Sequence, residues 1–323
     1  MNDVHVLESR IKNLKKTKQM TYTMRLAASL KVRQLELRVI SMNQYTKSMR
    51  DFIDNVLATV EPQVDLSHKL NLNASSLLTA NYKEDKPEVE ELVVILGGQH
   101  GLAGGFQNNL RQVLKRDIQK ARPLGIEYHL LPVGVKGMGI AKSVDAPIID
   151  SVNIPEEPKD AMPILWRKIE DLSQKYNISR ISVLSNRFYS IGRQKPEFTP
   201  ILPLDSLHGS ARRSGFFTAQ PKVEGAQRGQ MRRVQTVQLV KSIPVEPKLD
   251  SWLGDLLQQI GYSRIMQLLI ESLASEYIQR LQAMSAATKN AEELLVQLEL
   301  EFQRSRQSKI TQEILDILGG SDL

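Results

Sequence analysis

The residues with the clearest chemical potential are the glycines of GGQHGLAGG at residues 97–105, which follow a short apolar segment rich in β-branched residues. A glycine-rich turn between a strand and a helix is a common cradle for phosphate. This turn lacks the Gly-Lys-Ser/Thr ending of a P-loop, so no lysine would reach the phosphates and no hydroxyl would hold Mg²⁺. It also departs from GxGxxG, and no acid ends the second predicted strand to bind a ribose. We therefore favour a structural turn over nucleotide binding, with His100 as a surface or turn residue.

Other catalytic arrangements do not occur in the sequence. Cysteine is absent, which excludes disulfides, thiolate metal sites and cysteine nucleophiles, and the five histidines are scattered. Paired carboxylates, a Ser/His/Asp set or a metal triad are not found with supporting spacing. The acidic pairs Glu292/Glu293 and Glu299/Glu301 are typical of solvated helix faces. We predict no catalytic site, no metal and no cofactor for this chain.

A second group of residues that could bind a partner is the basic, glycine-rich segment at residues 205–240. Two aromatic residues, Phe216 and Phe217, accompany its arginines. Arginines near aromatic residues would suit nucleic acid or an acidic partner, whereas a solvated loop would have the same composition. We favour the solvated loop. The arginines of this segment are Arg212, Arg213, Arg228, Arg232 and Arg233.

The elements that must position these residues begin with a long helix. Residues 3–60 contain no proline or glycine, and apolar or small residues recur at steps of three and four from Leu7 to Val60. This period predicts one helix with a single narrow stripe. At a rise of about 1.5 Å per residue, it would extend on the order of 85 Å. Glu61 and Pro62 would end it.

A second long helix is predicted at the other end of the chain. It begins after Pro247, stops at Gly319 and Gly320, and has weak points at Gly254 and Gly261. Its apolar stripe has large residues at both ends and small residues between positions 285 and 291. A stripe of about two residues in seven is too narrow for a globular core and suits a coiled-coil seam.

The two predicted helices carry opposite charge. Basic residues outnumber acidic ones in residues 1–60 and the reverse holds in residues 249–323, while the whole chain has a formal net charge of +7. Opposite charges attract along the length of such a pair. We therefore predict a long antiparallel α-helical coiled coil made from the N- and C-termini.

The middle of the chain predicts an inserted Rossmann-like α/β domain. Apolar segments at residues 91–96, 126–135 and 178–184 are predicted as strands, and residues 106–121 and 161–176 as helices. This alternation indicates parallel β-α units in a three-layer sheet. The predicted divisions are residues 1–60 (N-terminal coiled-coil helix), 61–247 (inserted α/β domain with the basic loop 205–240) and 248–323 (C-terminal coiled-coil helix).

The hydropathy of the chain gives no sign of a membrane span or an export signal. No run of eighteen or more apolar residues occurs, and the first residues lack the apolar core of a signal peptide. We expect a soluble chain from this pattern. Its basic character raises nucleic acid or an anionic surface as a partner.

Specific motifs occur at both ends and in the middle of the chain. The most specific are ESLASE at residues 271–276 and RQSKITQEI at residues 306–314. Residues 11–33 add a second signature, and the middle adds GLAGGF at 101–106, GVKG at 134–137, ILP at 201–203 and Glu246-Pro247. In order and spacing these motifs resemble the gamma subunit of F-type ATP synthases. The resemblance covers nearly the whole chain.

Four positions depart from the pattern of that family. Gln99 stands where the family usually has Asp, Ala103 where it has Cys, Thr23 where it has Ala, and Gln303 where it has Asn. These departures predict a divergent branch, such as the second, sodium-type ATPases of some bacteria and archaea. The absence of cysteine argues against the chloroplast form with its redox switch.

The resemblance implies a central rotor shaft that couples transmembrane ion flow, of protons or sodium, to ATP synthesis or hydrolysis in a catalytic hexamer. The implied partners are the alpha and beta subunits of the hexamer, the epsilon subunit and the membrane rotor ring of c subunits, with no nucleic acid. The implied location is peripheral, on the cytoplasmic face of the inner membrane. A basic coiled-coil nucleic-acid-binding protein is the alternative, and an enzyme that uses the glycine turn is the third hypothesis.

The same resemblance leads us to expect contacts at particular residues. Six positions on the two long helices are expected to touch the catalytic ring, and the arginines of the basic loop are expected to touch the membrane rotor ring. The first set is Met24, Lys31, Arg33, Arg306, Gln307 and Thr311, and the second is Arg212, Arg213, Arg228, Arg232 and Arg233.

Overall fold

The first and last elements of the structure, a computed structural model that describes residues 2–59, 89–155, 157–176, 178–202 and 249–320, are long helices. Helix α1 covers Asn2–Thr59 with 58 residues, and the last helix, α5, covers Leu249–Gly320 with 72 residues. The narrow periodic stripes at both ends of the sequence explain these helices, because each can bury one face against a neighbour. The two predicted terminal helices are confirmed.

Four strands and three shorter helices occupy the described residues between α1 and α5. The strands are β1 (Val89–Leu96), β2 (Ile126–Val133), β3 (Arg180–Ser190) and β4 (Arg193–Leu202). The helices are α2 (Phe106–Ala121), α3 (Val135–Ala141) and α4 (Pro158–Lys175), and a 3₁₀ turn at Arg122–Leu124 joins α2 to β2. The three predicted strands and both predicted helices are present, while α3 and β4 were not predicted.

The strands form one sheet in the order β2-β1-β3-β4. Strand β1 is parallel to both of its neighbours, with Val93 opposite Leu130 on one side and Ser182 on the other. The last pair, β3 and β4, is antiparallel. The predicted parallel β-α units are therefore observed for β1, β2 and β3, and the expectation of parallel strands alone is corrected by an antiparallel strand at the end of the order.

Strand β4 was missed because it contains two prolines. Pro196 pairs with Asn186 and Pro200 pairs with Ser182. Proline has no N–H to donate to a ladder, so its presence usually argues against a strand, and it is tolerated mainly at edges. Among the described strands, β4 stands at the end of the order, which is where such a residue fits.

Helices cover both faces of the sheet because side chains alternate along each strand. On one face Leu92, Val94 and Leu96 pack in a core cluster with residues of α4 and α5 such as Leu165 and Leu268. Helix α2 presents its buried side chains, including Phe106, Leu110, Leu114 and Ile118, to the other face. The result is a helix–sheet–helix arrangement of three layers.

Helix α5 continues through both glycines that the sequence marks as weak points. Gly261 is buried, and a Cβ at this position would lie 3.0 Å from Cη2 of Trp166 in α4. The missing side chain therefore lets α5 approach the Trp166 ring closely. The glycine costs helix propensity but gains a close contact between two helices.

The described chain forms two compact units. Unit 1 comprises residues 2–33, 102–104 and 277–320, and unit 2 comprises the remaining described residues from 34–101 and 105–276. The sheet belongs to unit 2. Each long helix contributes one part to unit 1 and the other part to unit 2.

Two turns of unit 2 pack backbone against backbone. A Cβ at Gly97 would lie 2.2 Å from Cα of Gly137, and the N–H of Lys136 donates to the carbonyl of Gly98 at 3.2 Å. Gly134 has a φ of 79°, and a Cβ there would lie 2.5 Å from the Gly98 carbonyl oxygen. The turn after β1 and the turn after β2 can approach this closely only because these residues have no side chains.

Gly97→Ala should lower the free energy of unfolding by about 3 kcal/mol, because the new methyl group meets backbone atoms that cannot rotate away. The matched control is Gly139→Ala in α3, where a Cβ would meet nothing within 4 Å. This control should raise the free energy of unfolding by about 0.5–1 kcal/mol through helix propensity. Urea denaturation of the purified chains, followed by circular dichroism, measures both, and similar losses in the two variants would contradict the close packing.

Candidate functional site

In unit 1 the two long helices contact each other through pairs that run in opposite directions. The residue number rises along α1 as it falls along α5, so the helices are antiparallel here. Two of the pairs join a lysine of α1 to a glutamate of α5, which agrees with the opposite charges seen in the sequence. The pairs are Lys15 with Glu299 at 2.8 Å, Lys18 with Glu292 at 3.1 Å, and the hydroxyls of Thr21 and Thr288 at 3.0 Å.

A line of buried side chains, here called the seam, separates the two helices in unit 1. Met284, Thr288, Ala291 and Leu295 of α5 recur at steps of three and four, and several residues of the seam are small. Small residues let two helix axes approach closely. The seam consists of Leu7, Ala28 and Val32 of α1 and Ile278, Met284, Thr288, Ala291 and Leu295 of α5.

Unit 1 also exposes large apolar side chains outside the seam. Leu26 and Leu30 lie one turn apart on α1 and are 54% and 67% exposed, and they face away from Ala28 of the seam. On α5, Leu300 and Ile314 are about half exposed. Clustered exposed apolar residues mark interaction surfaces. Sequence reasoning placed Ile314 in the stripe of the last helix and did not single out Leu26, Leu30 or Leu300, although the spacing of Leu26 and Leu30 outside the main stripe was a usable signal.

The six residues expected to touch a catalytic ring all lie in unit 1. Met24 and Lys31 are partly buried, while the other four are exposed. On α5 the hydroxyl of Thr311 donates to the backbone carbonyl of Gln307 at 2.9 Å. The exposed members are Arg33, Arg306, Gln307 and Thr311. Their role in partner contact stays a prediction.

In unit 2 the glycine turn after β1 packs against a buried carboxyl group that belongs to the chain itself. Glu276 of α5 is 1% exposed, and its Oε1 accepts a hydrogen bond from the backbone N–H of His100 at 3.3 Å. Gly98 has a φ of 80°, and a Cβ there would lie 2.6 Å from Oε2 of Glu276. Backbone N–H groups of such a turn suit an anion. Here the carboxylate lies where a phosphate cradle would hold its ligand, which favours the structural turn over nucleotide binding.

The cavity beside this turn has a largely apolar lining. Leu96, Val133, Ile154 and Leu269 contribute to it, and its described lining residues include no lysine or arginine. The hydroxyl of Ser272 donates to the Leu96 carbonyl at 3.3 Å. A phosphate in this cavity would find no lysine or arginine among those residues to balance its charge, and it would lie beside the carboxyl group of Glu276.

A second buried carboxylate of α5 is the centre of a polar cluster, here called the Glu271 network. Glu271 is 1% exposed, and its Oε2 accepts a hydrogen bond from Nε of Arg187 at 2.7 Å and lies 3.5 Å from the backbone N of Phe188. Its Oε1 accepts from the amide of Gln267 at 2.8 Å, and the same amide donates to Asn43 of α1. The network joins α1, α5 and β3 within unit 2.

A third buried carboxylate, Glu91, lies on β1 and is 5% exposed. Burial raises the pKa of Glu91 above its usual value of 4.5, although the hydroxyl of Ser182 donates to it and Nη1 of Arg180 lies 3.4 Å away. Nearby, the hydroxyl of Tyr128 donates to Asp117 at 2.7 Å, and burial also raises the pKa of Tyr128. The protonation of Glu91 is therefore linked to folding.

One expected contact surface lies outside the described residues, and two searches of the described residues found no site. The arginines expected to touch a membrane ring lie in residues 205–240, outside the described residues. Within the described ranges, no group of three or more His, Cys, Asp or Glu residues is arranged to hold a metal ion. A search of those same ranges also found no helix with the length and hydropathy needed to cross a bilayer.

The polar contacts of both units join elements of the fold to each other. In the part of the chain that the structure describes, the polar side chains singled out above hold helices to each other in unit 1 and to a sheet in unit 2.

A model of the ATP synthase family matches residues 3–322, and the chain belongs to that family. The ATP synthase gamma chain of Staphylococcus epidermidis is 28% identical over 323 residues, which cover 99% of each chain. The ATP synthase gamma chain of Leptospira biflexa serovar Patoc is 25% identical, over 98% of this chain and 97% of that one. The resemblance to gamma subunits that the motifs predicted is confirmed.

Solved structures show the same fold. The rotor of the Euglena gracilis mitochondrial ATP synthase, in rotational state 1, has a TM-score of 0.55 at 14% identity, over 95% of this chain and 98% of that chain. A second structure of the same enzyme, of OSCP, F1 and c-ring in rotational state 3, also has a TM-score of 0.55 at 14% identity. The terminal helices and the central mixed sheet are thereby confirmed. The nucleic-acid alternative gains no support from these relatives.

The raised pKa of Glu91 predicts a particular pH dependence of stability. Because the folded chain binds this proton more tightly than the unfolded chain, the contribution of Glu91 to the free energy of unfolding falls as pH rises from 4.5 to the folded-state pKa. Glu91→Gln removes this dependence, so the stability of the variant relative to the original chain should increase with pH across that window and then level off.

Urea denaturation at a series of pH values from 4.5 upward measures this difference. Glu127→Gln is the matched control, since Glu127 lies exposed on the neighbouring strand β2. The control should run parallel to the original chain at every pH. A constant difference between Glu91→Gln and the original chain would show that the carboxyl of Glu91 is not protonated more readily in the folded state.

Proposed function

We propose that this chain is the central rotor shaft of an F-type ATP synthase and couples transmembrane ion flow to ATP synthesis or hydrolysis in a catalytic hexamer. The observation that carries the proposal is the antiparallel pair of long helices in unit 1, with its seam inside and large apolar side chains outside. Its relatives over the full length are ATP synthase gamma chains. A shaft needs such a pair, because two helices held along a seam resist twisting better than one.

We further propose that the paired helices form an antiparallel coiled coil and that the inserted domain is Rossmann-like. The steps of three and four from Met284 to Leu295 in the seam support the first statement. The parallel unit β1-α2-β2, with helices on both faces of the sheet, supports the second. The chain would then divide into residues 1–60, 61–247 and 248–323, as coiled-coil helix, inserted domain and coiled-coil helix.

Such a shaft needs no chemistry of its own. Rotation presents a different surface to each catalytic site, and coupling is the difference in contact free energy between the rotational states. The two helices supply an uneven surface for this purpose, since exposed leucines such as Leu26 and Leu30 alternate with basic residues such as Arg33. The chain itself would carry no catalytic site and no cofactor.

The proposed partners are the alpha and beta subunits of the hexamer, the epsilon subunit and the ring of c subunits. Contact with the hexamer is assigned to Met24 and Lys31, together with the four exposed residues of unit 1 named above. Contact with the c ring is assigned to the arginines of the basic loop 205–240. The complex would lie on the cytoplasmic face of the membrane, with the chain peripheral, and the sodium-type branch stays a prediction from four divergent positions.

Rotation of the chain inside its complex tests the proposal directly. The sequence has no cysteine, so Lys115→Cys on the exposed side of α2 gives a unique attachment point for a bead. With the catalytic hexamer fixed to a surface, ATP should drive rotation of the bead in one direction. A chain that does not purify with a hexameric ATPase, and instead binds DNA in a salt-sensitive manner, would refute the rotor function.

The proposed hexamer contacts predict a defect in the assembled complex. The double variant Arg306→Ala with Gln307→Ala removes two exposed polar groups from α5, and the ATPase rate of the complex should fall by about tenfold if together they contribute about 1.4 kcal/mol of coupling. Lys289→Ala is the control, because its side chain is 77% exposed and pairs only weakly with Glu293 at 3.8 Å. Equal ATPase rates in the double variant and in Lys289→Ala would show that Arg306 and Gln307 do not contribute to the contact with the hexamer.

A further inference from the structure

Two buried carboxylates of α5 hold the sheet of unit 2 at separate points. Glu271 binds Arg187 at 2.7 Å and lies beside the backbone N of Phe188, both on β3. Glu276 accepts the backbone N–H of His100 in the turn after β1 at 3.3 Å. Five residues apart on a helix means about 7.5 Å along the axis and about 140° around it. Helix α5 is therefore hydrogen-bonded to the rest of unit 2 at two positions along its axis and on two sides of the helix.

These contacts differ in kind from the apolar packing around them. The core cluster contributes Ile265, Leu268 and Leu269 from the same stretch of α5. Apolar burial is non-directional, so a small rotation of the helix about its own axis exchanges one apolar contact for another. A charge-assisted hydrogen bond depends steeply on distance and angle, and a buried carboxylate that loses its partner is strongly destabilised. The two glutamates thus oppose rotation where the apolar core tolerates it.

The first helix is held by the same cluster. Gln267 donates to Glu271 at 2.8 Å and also donates to Asn43 of α1. Asn43 therefore reaches β3 through two side chains, Gln267 and Glu271, that are both buried. Within unit 2, turning either helix against the sheet would break hydrogen bonds of one connected network.

We infer that Glu271 and Glu276 are positioning residues that transmit torque between α5 and the sheet of unit 2. The inference rests on the proposed rotor function, because only a rotating shaft loads this contact. The apolar core holds α5 against the sheet. The polar contacts of the two glutamates fix the rotational angle of α5 relative to the sheet. Loss of these contacts should therefore slow rotation more strongly as the viscous drag on the chain increases.

A single introduced cysteine allows the particle that produces viscous drag to be attached on either side of the contact between α5 and the sheet. Lys115→Cys places it on α2, on the face of the sheet opposite the core cluster of α5, so torque from α5 reaches the bead mainly across the sheet. Asp255→Cys places it on α5 itself, where residue 255 is exposed and the path avoids the sheet. Each chain is assembled into the complete complex with the hexamer fixed, and rotation is recorded with a small gold particle and with a long actin filament as low and high drag.

Glu271→Gln keeps the shape of the side chain and removes its charge. With the handle on α2, its rotation under high drag should be at least about fivefold slower than in the same chain with Glu271 intact. With low drag the two chains should rotate at the same speed. With the handle on α5, no loss should occur at either drag, because the load no longer crosses the contact.

Controls separate this role from general stability. Asp150→Asn removes the more exposed ion pair with Lys168 at 2.6 Å in the same unit and should change nothing. If Glu271→Gln does not assemble, Arg187→Lys keeps the positive charge but loses the Nε contact, and should show the same handle-dependent loss. Equal speeds at both drags, or equal losses with both handles, would overturn the inference. Absence of rotation in the parent single-cysteine chains would refute the rotor function itself, which distinguishes the two failures.

Discussion

A carboxylate that leaves water must be given partners, and this requirement governs the packing of unit 2. Glu271 and Glu276 are each 1% exposed, and their partners come from β3 and from the turn after β1. The turn can reach α5 only because Gly98 has no side chain and adopts a positive φ. The glycine turn after β1, which by composition resembles a phosphate cradle, therefore donates a backbone hydrogen bond to Glu276 of α5.

The pairing of the long helices in unit 1 depends on a different balance. The ion pairs of Lys15 and Lys18 with α5 are about half exposed, so each contributes at most about 1 kcal/mol. Burying one Leu or Met side chain contributes about 1.5–3 kcal/mol. The seam therefore provides most of the cohesion, and the ion pairs between the oppositely charged helices add to it.

The sequence predicted what local periodicity determines. Both long helices, three strands and the helices α2 and α4 follow from stripes and alternation, whereas β4 was hidden by Pro196 and Pro200, and the seven residues of α3 include two glycines. The Glu271 network could not be predicted, because Arg187 is 84 residues away from its partner and no pattern reveals which acid will be buried. The contact residues of unit 1 follow only from the resemblance; four of the six are exposed, and their role in partner contact stays a prediction.

The prolines of β4 affect how readily this strand can pair with a strand of another chain. An edge strand with free N–H groups invites another strand to extend the sheet, and many proteins aggregate in this way. Pro196 and Pro200 of β4 each remove one such donor, and proline in an edge strand generally has its nitrogen on the unpaired side. Whatever lies beside β4, a neighbouring chain finds an interrupted ladder there, so the sheet is guarded against fusion with other β-structure.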